Sequence, residues 1–282
     1  MILLVSIFYD FHNTNKAILI KIPLSNTKNQ NEITLNKKKN EQHFKIFKPY
    51  RINYLDSPKF YLMTEHLSTA EENYIKTIYH LQKTEANAST NEVAAKLNTK
   101  AASVTDMIKR LNAKQLINYE KYKGVSLSAE GEKIAIAIIR KHRLWEYFLV
   151  EKLQFKWDEV HEIAEELEHI SSKQLVERLD SYLGYPKFDP HGDPIPDSKG
   201  NIQFQEQINL TDLNIDQQAT VSAVVGSQSS ALLELLTHKD IGIGSKIVVK
   251  KRFSFDNSLE IQTNKDNVFT ISKELAMALF VK

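Results

Sequence analysis

Two groups of residues in this 282-residue chain have the types and spacing to hold a metal ion. His142 and Glu146 stand four apart, and His161, Glu165, Glu168 and His169 fall at i, i+4, i+7 and i+8. On a helix those four share one stripe. A stripe of that kind is normally apolar. Here it is only carboxylate and imidazole, while Val160, Ile163, Ala164 and Leu167 form the apolar face beside it. Carboxylates three residues apart repel each other, and a divalent cation relieves the repulsion. The chain has no cysteine, which excludes disulfides, thiolate zinc sites, iron–sulfur clusters and cysteine nucleophiles. Nitrogen and oxygen donors suit Mn(II), Fe(II), Zn(II) or Co(II), and carboxylate-rich sets tilt toward manganese or iron. The bland alternative is a solvated acidic face with satisfied surface histidines. It fits any one of these residues alone better than it fits six at helical spacing.

Catalytic signatures fail in their details. His161-Glu162 opens a His-Glu-x-x-His zinc-protease pattern, but the closing position is Glu165. There is no glycine-rich phosphate loop and no Gly-x-Ser-x-Gly elbow, so the chain is not expected to be an enzyme.

The elements that position these residues follow from caps and periodicity. Ser68 or Thr69 caps a helix expected over Ala70–Lys83, with Tyr74, Ile75, Ile78, Tyr79 and Leu81 as its apolar stripe. Thr90 caps a short helix, Asn91–Leu97, and a turn leads to a third, Ala102–Lys114. Two short strands, Leu116–Tyr119 and Val125–Leu127, flank a tight turn at Tyr122-Lys123-Gly124. Three helices and a hairpin make a winged helix-turn-helix. Further helices are expected over Ala129–Val150, Lys156–Ile170 and Ser172–Leu183. A Pro- and Gly-rich loop follows, Tyr185–Pro196. The last part, from about Gln207, reads as a small barrel-like β domain, with strands at Ala219–Val225, Lys246–Arg252, Leu259–Thr263 and Asn267–Ser272 and a helix at Ser229–Leu236.

Charge divides along the same lines. Residues 100–143 carry ten Lys or Arg against four Asp or Glu, and residues 144–207 carry six against fourteen. A basic block followed by an acidic one implies one part facing a polyanion and one facing cations. The third helix should expose Lys100, Ala102, Ser103, Thr105, Asp106 and Lys109, types that reach phosphates and base edges. Lys121 and Lys123 sit at the wing tip. Protein contact is the alternative use of such a hairpin. No apolar run approaches the roughly 18–20 residues that span a bilayer, and a cytoplasmic location is expected.

Residues 1–62 show no sustained period. Their Lys37-Lys38-Lys39 cluster is compatible with a DNA-binding arm, but the composition reads as an extension without ordered structure. Asn, Lys, Ile, Phe and Tyr have AT-rich codons, so the segment reads as translated upstream DNA, with Met63 as the native start. The expected organisation is 1–62 extension, 63–135 winged helix-turn-helix, 136–206 metal-binding and dimerisation domain, and 207–282 SH3-like domain. The fold class is mainly α with a small β part.

From about residue 66 the chain resembles the iron- and manganese-dependent repressors that include the diphtheria toxin repressor. The resemblance rests on Glu72-Asn73-Tyr74-Ile75-Lys76-Thr77-Ile78-Tyr79, on the wing Tyr119–Gly124, on Arg140-Lys141-His142-Arg143-Leu144, on His161–His169 and on the loop Asp189–Pro196. It implies a homodimer that binds a pseudo-palindromic double-stranded operator and represses metal-uptake genes when intracellular metal rises. His142, Glu146 and His161 match one metal position. Glu165, Glu168 and His169 match the other, completed by Asn73 from the first helix. Iron-type members carry cysteine where this chain has Glu165, so manganese is the implied metal, with Fe(II) next and Zn(II) or Co(II) as substitutes in vitro. Two departures stand out: Asn73 replaces the usual Asp or Met, and Lys76 stands where manganese types place another carboxylate. Gln228 is a weakly aligned supplementary ligand. A winged-helix regulator sensing a non-metal ligand and, further off, a metallohydrolase are the alternatives.

Overall fold

The computed structural model describes residues 2–8, 17–23, 67–83, 87–120, 123–227, 229–263 and 267–282. Lys121, Tyr122, Gln228, Met63 and the Lys37–Lys39 cluster lie outside them. The chain divides into two compact units, Met1–Arg51 and Ile52–Lys282. In the first, β1 (Ile2–Phe8) pairs antiparallel with β2 (Ala17–Pro23), Ile2 opposite Pro23 and Phe8 opposite Ala17. Both seven-residue segments are rich in isoleucine, leucine and valine, a composition that favours strands.

The second unit starts with α1 (Thr69–Leu81), closed by a capping box in which Ser68 and Glu71 satisfy each other's backbone N–H groups. The short helix α2 (Thr90–Lys96) has the same box, formed by Ser89 and Glu92. Its cap is therefore Ser89, one residue before the expected Thr90. The helix α3 (Ala101–Ala113) follows after a turn. The wing is β3 (Ile117–Glu120) paired antiparallel with β4 (Gly124–Leu127), and Ala88 adds a bridge to Val125. Gly124 has φ +96°, and a Cβ there would stand 2.6 Å from the Ala88 carbonyl oxygen, so glycine alone fits this turn. Ile75, Ile78, Val93, Val104, Leu111, Leu116, Val125 and Ile134 close the core of this part.

Ser128 caps α4 (Ala129–Leu153), a single 25-residue helix that starts at the wing and runs through the boundary expected at 135/136. After it come α5 (Val160–Leu167) and α6 (Lys173–Tyr182), the latter capped by Ser172. Leu144, Trp145, Ala164, Leu179, Leu183 and Ile195 form the core here. The helix α5 is shorter than the expected Lys156–Ile170. Trp157 leaves the helical path, packs against the core of the C-terminal part and donates its ring N–H to Thr237 Oγ1 at 2.8 Å. Glu168 is the C-cap, its N–H bonded to the Ala164 carbonyl.

The C-terminal part is a six-stranded sheet in the order β5 (Ile208–Asn209), β10 (Leu279–Val281), β6 (Gln218–Val224), β7 (Lys246–Arg252), β8 (Leu259–Thr263) and β9 (Val268–Ile271), flanked by α7 (Ser230–His238) and α8 (Lys273–Met277). All its pairings are antiparallel. The β part is larger than expected, and among the described residues the sheet does not close on itself: β5 and β9 are its free ends. Register shifts at Phe280/Val281 and Val249/Lys251 bend it around a core of Val221, Leu233, Leu236, Ile247, Val249 and Ile261.

Candidate metal centre

α4 and α5 bring His142, Glu146 and His161 together. Their ligand atoms lie within 4.8 Å of one another. His142 Nε2 is 3.0 Å from Glu146 Oε1 and 3.2 Å from His161 Nδ1, and His161 Nδ1 is 3.3 Å from the same Glu146 oxygen. Glu146 is 3% exposed and meets imidazoles from three segments, since His191 Nδ1 stands 3.6 Å from its other oxygen. Burial pushes the Glu146 carboxyl up, and His142, His161 and His191 outweigh that and hold it well below its usual range. Burial likewise opposes charge on His142, but Glu146 and Glu168 raise it to about 9.

The ring of His142 also has a supported back side. Its Nδ1 lies 2.7 Å from Glu168 Oε2, and Glu168 is fully buried. When Nδ1 donates to that carboxylate, the free lone pair is on Nε2, facing Glu146 and His161. A carboxylate behind an imidazole is the usual support of a histidine ligand. The Pro-rich loop adds Asp189 and His191, which with Glu146 form a second group within 4.8 Å. His191 Nδ1 is buried without a hydrogen-bond partner, while its Nε2 bonds the Trp157 carbonyl at 2.8 Å. The nearby Glu146 and Asp189 raise His191 to about 9 against the effect of burial, and burial with the Glu146 and Asp193 charges raises Asp189 to about 7. A buried orphan nitrogen and an all-nitrogen-and-oxygen donor set fit a divalent cation here.

The other expected position has a different occupant. His142, Glu165 and Glu168 offer ligand atoms within 4.8 Å, and His169 Nε2 is 3.7 Å from Glu168. Into this group α1 sends Lys76, whose Nζ is 2.6 Å from Glu165 Oε1 and 2.6 Å from Glu168 Oε1. His169 Nδ1 meets Glu72 Oε2, also from α1, at 2.5 Å. Asn73 Oδ1 is buried with no hydrogen-bond partner. The carboxylates that would neutralise a second metal ion here already face an ammonium from α1.

In the winged helix, Lys100, Ala102, Ser103, Thr105, Asp106 and Lys109 are all exposed, while Val104, Ile108 and Leu111 are buried. Arg110, not among the expected contacts, is exposed on the same helix. Lys123 is exposed and paired with Glu120 at 2.6 Å. Lys100 is the N-cap of α3 and makes no side-chain cap, which leaves the first-turn N–H groups open. Sequence reasoning missed Asp189 and His191, which lie more than forty residues from Glu146 in the chain. The available signals were a histidine and two aspartates among prolines in a short loop, and that loop's share in the family resemblance.

The chain matches the families described as iron dependent repressor, N-terminal DNA binding domain (residues 66–125), iron dependent repressor, metal binding and dimerisation domain (128–197), and FeoA domain (208–282). It is 32% identical over 141 residues to the HTH-type transcriptional regulator MntR of Oceanobacillus iheyensis, covering 94% of that protein and 50% of this chain. It is 33% identical over 134 residues to the iron-dependent repressor IdeR of Mycobacterium tuberculosis, covering 48% of this chain and 58% of that protein. The chain thus spans little more than half the length of the mycobacterial regulator. Among solved structures, a manganese-dependent transcriptional repressor in complex with manganese superposes with a TM-score of 0.68 at 30% identity, covering 75% of this chain and 98% of that one. ScaR with bound Zn2+ superposes with a TM-score of 0.63 at 30% identity, covering 75% and 98%. The chain belongs to the diphtheria toxin repressor-like family of metal-dependent transcriptional repressors.

Proposed function

We propose that this protein is a Mn(II)- or Fe(II)-dependent transcriptional repressor that binds a pseudo-palindromic operator as a homodimer and controls metal-ion uptake genes. The observation that carries the reading is the convergence of His161 of α5 with His142 and Glu146 of α4, the helix that begins at the wing. These three would hold the ion, with Asp189 and His191 at its edge. A bound divalent ion would supply positive charge to Glu146, whose other partners here are imidazoles, and to Asp189, which Arg143 approaches at 3.5 Å. α4 carries both His142 and Glu146 and is continuous with the DNA-reading part, so the position of those side chains sets the angle of the winged helix. α3 would lie in the major groove, with Lys100 and its open N–H groups on phosphate, Ser103 and Thr105 toward base edges, and Lys109 and Arg110 on the backbone. Lys123 would reach an adjacent phosphate.

A second copy of the chain would cover Leu175 and Tyr182 of α6 together with Leu153 and Phe155. These are exposed by 40%, 67%, 52% and 38%. Zn(II) or Co(II) would bind in vitro, because nitrogen-rich donor sets do not reject them.

The test is fluorescence anisotropy on operator-type DNA with chelated protein, titrated separately with Mn(II), Fe(II) and Zn(II). Binding should appear with metal and disappear in His161→Ala and Glu146→Gln. Lys100→Ala should weaken binding to all sequences and lower the slope of log affinity against log salt by about one. Equal affinity with and without metal would refute the sensing role.

A further inference from the structure

Two residues of one face of α1, Glu72 and Lys76, reach into the acidic half of the molecule. Lys76 is the consequential one. Its side chain is 12% exposed, and its ammonium lies 2.6 Å from an oxygen of Glu165 and 2.6 Å from an oxygen of the fully buried Glu168. Two carboxylates from α5 and its C-cap thus converge on one cation, as they would on a metal ion, and the cation is covalently part of the chain. A divalent ion placed between the same oxygens would stand next to a positive charge whose side chain is 12% exposed. The pairing runs on: the other oxygen of Glu168 is 2.7 Å from His142 Nδ1, and His142 Nε2 faces Glu146 and His161. Lys76 therefore fixes the carboxylate that fixes the histidine of the proposed metal site.

We infer that Lys76 is a built-in cation that takes the place of a second metal ion, so that each protomer holds one regulatory ion, bound through the His142–Glu146–His161 group, and α1 is clasped to the acidic half whether or not that ion is bound. This rests on the metal-sensing reading above. Two consequences separate it from a two-ion sensor. The clasp between α1 and α5 persists in chelated protein, and Glu168 acts as an outer support of His142 rather than as a ligand. Replacing Lys76 with a carboxylate reverses both: three acids then face one another, the clasp opens without metal, and a second ion enters.

The experiment is Mn(II) stoichiometry by native mass spectrometry on chelated and reloaded full-length protein, paired with hydrogen–deuterium exchange of α1 in the chelated state, for wild type, Lys76→Gln and Lys76→Glu. Expected are one ion per protomer in wild type and two in Lys76→Glu, with α1 amides of both chelated variants exchanging about tenfold faster than wild type. Two ions in wild type, or no second ion in Lys76→Glu, would overturn the inference, as would unchanged exchange in both variants. Absence of any ion in wild type would instead sink the metal-sensing reading, and the clasp would then stand or fall by the exchange data alone.

Discussion

Glu168→Gln perturbs two functions of one side chain at once. Glu168 is 0% exposed and accepts from Lys76 at 2.6 Å and from His142 Nδ1 at 2.7 Å. Lys76 and His142 lower its pKa against the opposing effect of burial, so the carboxylate is ionised and its charge is in use at neutral pH. The amide keeps the shape but leaves Lys76 with only Glu165 and removes one of the two carboxylates beside His142. Removing one partner of a buried ion pair costs about 3–5 kcal/mol, and about 3 is apt here because Lys76 retains an anion. At about 2–4 °C per kcal/mol for a unit of this size, the melting temperature of chelated protein should fall by about 6–12 °C. Loss of the group behind a histidine ligand weakens metal binding by about 10–100-fold. Calorimetry on chelated protein and Mn(II) titration of the same sample measure the two effects separately. An unchanged melting temperature together with complete loss of Mn(II) binding would refute the reasoning, because it would make Glu168 a ligand with no supporting role.

Two further outcomes follow from the loop and from the titrating groups. In the ion-free protein His142 and His191 hold protons up to about pH 9, against an ordinary value of 6.5. Their contribution to stability is complete below pH 6.5 and is lost as pH rises through 9, so thermal melts of chelated protein should fall across that window. Metal must displace those protons, so Mn(II) affinity should move the opposite way and strengthen from pH 6.5 to 9, as titration calorimetry at several pH values would record. Affinity independent of pH would remove both histidines from the site. Separately, Gly192 has φ +86°, and a Cβ there would stand 2.0 Å from the Ser222 carbonyl oxygen. Gly192→Ala should therefore cost at least about 2 kcal/mol and loosen the loop from β6, seen as a lower melting temperature and faster protease cleavage near residue 192. A variant as stable as wild type would show that the loop is not held against the sheet.

What the sequence made legible was local. The stripe of acids and imidazoles, the caps at Ser68 and Ser128 and the wing follow from spacings of two, three and four residues, and those periods survive into the fold because each helix or hairpin expresses them without outside help. What lay hidden was long-range. Asp189 and His191 join Glu146 through long-range contacts: Arg143 of α4 donates to the Pro194 carbonyl at 2.5 Å, the Val224 N–H of β6 bonds the His191 carbonyl at 3.0 Å, and His191 Nε2 bonds the Trp157 carbonyl. Lys76 could be seen as unable to ligate, but its role as the occupant of the acidic group depends on α1 packing beside α5, which no period encodes. The expected helix Lys156–Ile170 was too long for a similar reason: the indole of Trp157 found a partner in α7, and that contact outweighs helical propensity. The strands β5 and β10, of two and three residues, are too short for alternation to register.

The unbroken run of α4 makes it a lever with unequal arms. At about 1.5 Å per residue, its start beside the wing lies roughly 20 Å from His142, so a tilt of about 5° about that residue swings the wing end by roughly 2 Å. In a two-fold pair the swing is mirrored, and the distance between the two reading helices changes by up to twice as much. Displacements at the ligands too small to alter the fold are thus magnified at the far end into a mismatch with the fixed pitch of the double helix.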